Sequence, residues 1–304
     1  MSNYERGMKS CALVLGLVVL SCSACGNDPS PEVYVGTGGG SSSSSGSGGS
    51  GGVPNSNGYV FPGTLAQYPL AVTTNGDAWL SLGEYVSEGP GYPGDWHNAR
   101  LLKIDAQNAV QFDTVLDAAG YFVEPGAVHA DAEGNVVLLG HVRRDAGAVE
   151  SMDIGGKPVS FPYSSAAFVA KLDPRGNLVW CKVFDADVGL DAQGSPGMLR
   201  FVDVGIDAQG RVYVATLLRG TANLGGGALT HDDALVLVLS AEGTYVDDRV
   251  LSSRQTAFMK IEVEPSGTTW IARSSLALHA RVEKFDAMGS NLSEKWWPIC
   301  WVEA

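Results

Sequence analysis

After its first two dozen residues, this chain of 304 residues lacks any sustained hydrophobic periodicity of 3.6 residues, which leaves little room for a helical core. Long apolar runs are missing too. The run from Cys11 to Leu20 has ten residues, too short to span a bilayer stably. Basic residues are few, 20 against 33 acidic for a net charge of −13, and apart from Arg143-Arg144 they are scattered. That argues against nucleic acid, whose phosphates demand clustered Lys and Arg. The five histidines, at 97, 129, 141, 231 and 279, form no His-x-x-x-His or Glu-x-x-His. A zinc site needs three or four convergent ligands, and none is suggested. A Gly-x-Ser-x-Gly elbow is absent. The Gly-rich stretch from Val35 to Gly39 lies in low-complexity sequence, so it is no phosphate loop. No catalytic residue, metal or cofactor is therefore assigned.

What the chain does have is a repeat. The pattern Ala-x-(Leu/Val)-x-x-(Ile/Leu/Phe)-(Asp/Ser), with a turn residue three places on, occurs four times. It begins at Ala99, Ala167, Ala234 and Ala280, and the turn residues are Asn108, Gly176, Gly243 and Gly289. Before each copy stands an apolar pair, a polar residue, a turn glycine and an aliphatic run. Val128, Ala130, Asp131, Gly134 and Val137-Leu138 form one example; Val204, Ile206, Asp207, Gly210 and Tyr213-Val214 form another. Alternation of period two reads as half-buried strands, and the Asp-x-x-Gly turns close them into hairpins. These turns lack the alternating oxygen ligands of a calcium loop. Two hairpins per repeat and four repeats predict an all-β fold: a β-propeller of about four four-stranded repeats, over residues 66–118, 124–186, 200–251 and 257–297. A sandwich or irregular barrel is the alternative. The segment from Tyr59 to Phe61 is a candidate strand to pair with the chain's end and close a ring. Trp296, Trp297 and Trp301 read as packing residues of the last strand.

The N-terminus reads as an address. Arg6 and Lys9 precede the apolar run, and Ser23-Ala24 precede Cys25, as in a secretory signal. The pattern resembles the bacterial lipoprotein signal, which implies lipid attachment at Cys25, or at Cys22 as the alternative; an ordinary secreted protein is the further reading. Gly26 follows Cys25, and in that family a residue other than Asp there implies the outer membrane. Residues 1–24 are then the signal peptide. Residues 25–57 are a lipidated, Gly/Ser-rich flexible tether, and 58–304 the globular domain. Processing at Cys25 leaves 18 basic and 32 acidic residues, a charge of −14, and only Cys181 and Cys300 in the head. These two either pair in an oxidising envelope or stay as buried free thiols.

The stretch from Ala166 to Trp180, with Asp131 to Val137, resembles the bacterial β-propeller repeat (SBBP-like) family. Met152 to Gly156 and Ala222 to Gly226 resemble that family's intervening segment. The likeness covers about residues 66–297 and is strongest in the second and third repeats, since Asn108 replaces the turn glycine in the first and residues 273–279 are short. The anchor and linker together resemble envelope lipoproteins of myxobacteria. The resemblance implies a fold and a place in the cell envelope, and no single activity. For binding, the long loop of residues 88–98 stands out. Its Tyr92, Trp96 and His97 offer stiff contact surface, and His141 and Arg143 in the matching loop of the second repeat would add a polar wall. The expectation is a lipid-anchored, non-enzymatic binding or scaffold module for an unknown protein or glycan, without nucleic acid. The alternatives are a propeller enzyme, a glycan hydrolase or lyase with its site at the central face, or a structural part of an outer-membrane assembly complex.

Labelled palmitate fed to expressing cells should enter the full chain and be lost in Cys25→Ala. Loss in Cys22→Ala instead would select the alternative cysteine, and no incorporation at all would leave an ordinary secreted protein.

Overall fold

In a computed structural model the chain divides into two compact units, Met1–Pro62 and Gly63–Ala304. The structure describes residues 70–86, 95–116, 121–144, 151–190, 194, 197–251, 256–275 and 279–298, all in the second unit. The expectations for Cys22, Cys25, the segment 59–61, Tyr92, Cys300 and Trp301 lie outside these residues.

Among the described residues there is no helix, and the strands form four sheets of four antiparallel strands. Sheet one holds β1 (Leu70–Val72), β2 (Ala78–Val86), β3 (Asp95–Ile104) and β4 (Val110–Leu116). Sheet two holds β5 (Tyr121–Ala130), β6 (Val136–Arg144), β9 (Ser165–Leu172) and β10 (Leu178–Asp185). A separate hairpin of β7 (Ser151–Ile154) and β8 (Lys157–Ser160) is inserted in its middle connection. Sheet three holds β11 (Met198–Ile206), β12 (Val212–Asn223), β13 (Ala228–Leu239) and β14 (Tyr245–Val250). Sheet four holds β15 (Thr256–Val263), β16 (Thr269–Ser275), β17 (His279–Phe285) and β18 (Asn291–Pro298). Each sheet runs in chain order from first strand to last.

The turn chemistry explains why the hairpins form where they do. Asp131 Oδ1 accepts the backbone N–H of Asn135 at 2.8 Å, and Asp173 Oδ1 accepts those of Arg175 and Asn177 at 2.8 and 2.9 Å. The residue three places after each Asp takes positive φ, which glycine adopts without a Cβ clash: Gly134 at 84° and Gly176 at 86°. In the first repeat Asn108 takes φ 64° in the same turn, so the missing glycine does not break the hairpin.

The sheets stack in series around three cores. Trp79, Ala99 and Leu101 of sheet one meet Val136, Leu138, Phe168 and Ala170 of sheet two. The neighbours Val137, Leu139, Ala167 and Val169 point the other way and meet Leu199, Val214, Leu235 and Leu237 of sheet three. Tyr213, Ala215, Val236 and Val238 then meet Met259, Ile261 and Ile271 of sheet four. Because successive residues feed opposite cores, the inner strands of sheets two and three read as nearly continuous apolar runs. The first strands β1, β5, β11 and β15 follow one another along one side of the stack, β1 against β5, β5 against β11 and β11 against β15. Met152, Ile154 and Phe161, in and beside the inserted hairpin, are buried in the first core. Trp296 departs from expectation. On the outermost strand β18 it is 53% exposed, with the Arg281 guanidinium 4.7 Å over its ring.

A Cβ at Gly176 would overlap the Phe112 ring, whereas one at Gly134 would meet Pro174 at an ordinary 3.6 Å. Gly176→Ala should therefore cost about 1–3 kcal/mol more than Gly134→Ala, which bears only the positive-φ strain. Urea denaturation of the two variants checks this; equal losses would refute it.

Candidate functional site

A four-stranded antiparallel sheet puts its first and third hairpin turns at one end and its middle connection at the other. The eight hairpin turns of the described sheets therefore share one end, and the middle connections leave from the opposite end. A cleft of about 230 Å³ opens at that opposite end between sheets two and three. Its walls are Phe122 and Glu124 at the start of β5, His141 to Arg143 at the end of β6, Ser165 at the start of β9 and Met198 to Arg200 at the start of β11.

Strand alternation decides which of these side chains enter the cleft. Glu124 pairs with His141 and Phe122 with Arg143 across β5 and β6. Arg200 Nη2 reaches across to Glu124 Oε1 at 2.7 Å, tying β11 to β5, and both side chains remain partly exposed. The Arg143 guanidinium lies 4.8 Å over the Phe122 ring. His141 is fixed by main chain: the Phe201 N–H donates to its Nε2 at 3.1 Å, and its ring tilts against the Phe201 ring at 6.2 Å. Burial pushes the pKa of His141 down, against the opposing pull of Glu124. A neutral ring accepting a backbone N–H holds β6 to β11 and has that nitrogen occupied. The cleft thus presents two guanidinium groups, one carboxylate already paired, a neutral imidazole and the Ser165 hydroxyl, in a chain whose net charge is −13.

The sequence pointed to His141 and Arg143, and both line the cleft. Trp96 and His97 lie on β3, opposite Tyr85 and Glu84, at the same end of the neighbouring sheet, and their side chains lie outside the described part. Arg200 and Glu124 were missed. Arg200 is a lone cation on an alternating strand, and nothing local marks it as a neighbour of residue 124.

Two other polar groupings differ from the cleft. Within sheet four an ion network links β16, β17 and β18: Arg273 Nε reaches Glu283 at 2.7 Å, and Arg281 Nη2 reaches Glu283 at 2.7 Å and Glu294 at 2.6 Å. On the innermost strands, Asp203 of β11 accepts the Ile261 N–H at 2.9 Å and faces Lys260 at 3.4 Å. It sits at a register shift in β11, and burial pushes its pKa up. His129 of β5 lies in the field of Glu262, Asp203 and Asp131, with burial holding its pKa down. No group of three or more His, Cys, Asp or Glu among the described residues is placed to hold a metal ion. Cys181 is a free thiol whose pKa burial pushes up to about 12, which leaves it unreactive.

No protein-family model matches the chain, and no curated protein matches it. Among solved structures it is similar to a Hadza microbial sialidase, at 12% identity and a TM-score of 0.47, over 76% of this chain and 45% of that one. It is also similar to an exotype rhamnogalacturonan lyase, at 9% identity and a TM-score of 0.33, over 75% of this chain and 50% of the lyase. Prolyl endopeptidases match at 12% identity and a TM-score of 0.33, over 76% of this chain and 35% of theirs. The chain thus spans half or less of the length of each.

Folding makes His141 and His129 harder to protonate than they are in the unfolded chain. The unfolded chain then binds more protons below about pH 6.5, so this stability is present above that pH and lost as pH falls toward the depressed folded values. His141→Gln should flatten part of that slope in urea midpoints taken between about pH 5 and 7.5. An unchanged slope would remove His141 from the account.

Proposed function

We propose that this chain is a binding head built from propeller blades, and that the cleft between sheets two and three takes an acidic group of a glycan or protein ligand. The observation that carries this reading is the pair Arg143 and Arg200 on the rim of one cleft in a strongly acidic chain. Guanidinium groups bind carboxylates through two parallel N–H donors, and such charge-assisted bonds outweigh neutral ones. The cleft favours binding over catalysis, because the imidazole nitrogen facing sheet three is held by the Phe201 main chain. We place the head in the cell envelope, tethered by a lipid on Cys25 and the Gly/Ser linker, so that an open end can meet ligands away from the membrane.

A propeller enzyme acting on glycans is the second reading. It is favoured by Asp203, a carboxyl with a raised pKa on an innermost strand beside His129 and Glu262. Its oxygens are shared between the Ile261 N–H and Lys260, which also accounts for it as a tie between sheets three and four.

Titration calorimetry with a uronic-acid oligosaccharide and an acidic peptide, each against its neutral counterpart, tests the binding reading. Arg143→Ala and Arg200→Ala should each weaken acidic-probe binding by roughly ten- to a hundredfold, as expected for a lost hydrogen bond between charged groups. Binding that ignores both substitutions, or the absence of binding to either acidic probe, would overturn the cleft assignment. Turnover of the oligosaccharide lost in Asp203→Asn would favour the enzyme.

A further inference from the structure

The turn between the third and fourth strands of a sheet is a seat for the sheet before it. Three such seats are occupied in the same way. Lys103 Nζ of sheet one donates to Pro174 O at 3.0 Å, and Phe112 lies under Gly176. Trp180 Nε1 of sheet two donates to Ala241 O at 2.8 Å, and its ring lies 2.7 Å from where a Cβ on Gly243 would stand. Arg249 Nη2 of sheet three donates to Ala287 O at 2.8 Å, and its Nε lies 2.9 Å from a Cβ built on Gly289. In every case the acceptor is the carbonyl of the turn's second residue, and the turn glycine is needed because a bulky side chain from the preceding sheet presses on it.

Sheet one has the same turn, Asp105-Ala106-Gln107-Asn108, and among the described residues no side chain of another sheet sits in it. Asn108 is exposed where Gly176 and Gly243 are buried. On the innermost strand of the same sheet, Leu70 and Val72 are 56% and 62% exposed. Sheet four carries a matching plug. Its Trp270 pairs with Lys284 across β16 and β17, as Trp79 pairs with Lys103 across β2 and β3. The Lys284 ammonium sits 4.5 Å over Trp270, as Lys103 sits 5.5 Å over Trp79. The residue opposite Lys284 is Ser293, where the residues opposite Lys103 and Lys171 are Phe112 and Trp180. Large residues thus meet glycine in the occupied seats, while the open seat offers Asn108 and its plug a small serine. The small residue thus stands on the plug where in the occupied seats it stands in the turn.

From this we infer that sheet four of a second copy of the chain fills the seat on sheet one, with Lys284 donating to Ala106 O and Ser293 lying under Asn108. Two copies related by a twofold axis fill both seats at once and leave no unmatched end. A second copy is favoured over the chain's own sheet four because, within one chain, that sheet leaves the seat empty. Its Lys284 instead faces Glu264 of its own sheet at 3.9 Å, and Trp270 stays half-buried where Trp79 is fully buried.

The test is the full chain carrying Asn108→Cys and Ser293→Cys, oxidised and run without reductant beside each single variant. A covalent dimer formed only by the double variant is expected, with a native mass of two chains. A faster-migrating monomer would mean that the chain closes on itself, and the absence of any crosslink would mean that the two faces do not meet; either overturns the proposal. A second pair guards against misfolding. Ser293→Trp overfills the seat and should weaken the native dimer tenfold or more, and adding Asn108→Gly should restore it. A dimer indifferent to Ser293→Trp would also refute the assignment.

Discussion

The close approach of one sheet to the turn of the next organises this molecule. A four-stranded sheet with both faces apolar has no stable life alone, because each face must be covered and each edge ended. Here the covering is serial. The aliphatic faces supply the bulk of the contact area, but flat apolar faces can slide. The turn seats stop that sliding: a donor from one sheet meets one carbonyl of the next, and a side chain from the outer strand lies against a turn glycine at van der Waals distance. Positive φ alone would admit Asn, as residue 108 shows at 64°. At 176, 243 and 289 the neighbour's pressure adds a second reason for glycine beside the positive φ.

The two ends of the stack answer to different physics. The turn end is closed by backbone hydrogen bonds that each turn makes with itself, such as Gly176 N–H to Asp173 O at 2.9 Å and Gly243 N–H to Ser240 O at 2.9 Å. At the other end the middle connections vary in length and composition, so the gaps between sheets are filled one by one. Sheet four carries an ion network there, with Arg273 and Glu283 almost wholly buried. Buried charges of this kind survive because each satisfies the other, and removing one partner alone would strand the second. Between sheets two and three the charged groups stop at the rim, and a cleft remains. One architecture therefore holds a guanidinium buried against a carboxylate within sheet four and leaves guanidinium groups at the rim of the cleft between sheets two and three.

The strands, their four-fold grouping and their turns were legible from the chain because they depend on neighbours in sequence. Alternation sorts side chains to two faces, Asp caps its own turn and glycine takes the left-handed backbone, all within ten or so residues. The likeness between Trp79-Lys103 and Trp270-Lys284 follows from the same repeat. His141 and Arg143 could be picked out because they sit at the end of a strand in a repeat whose middle connection is long. The rest was decided by tertiary structure. Arg200 meets Glu124 from 76 positions further along the chain, and Phe201 fixes His141 through its main chain, which no side-chain pattern records. Trp296 reads as a core residue by composition and lies on the surface, because its strand is the outermost of its sheet. Local chemistry thus determined what the pieces are; which charged groups meet across the sheets was decided by tertiary packing, because their partners come from distant parts of the chain.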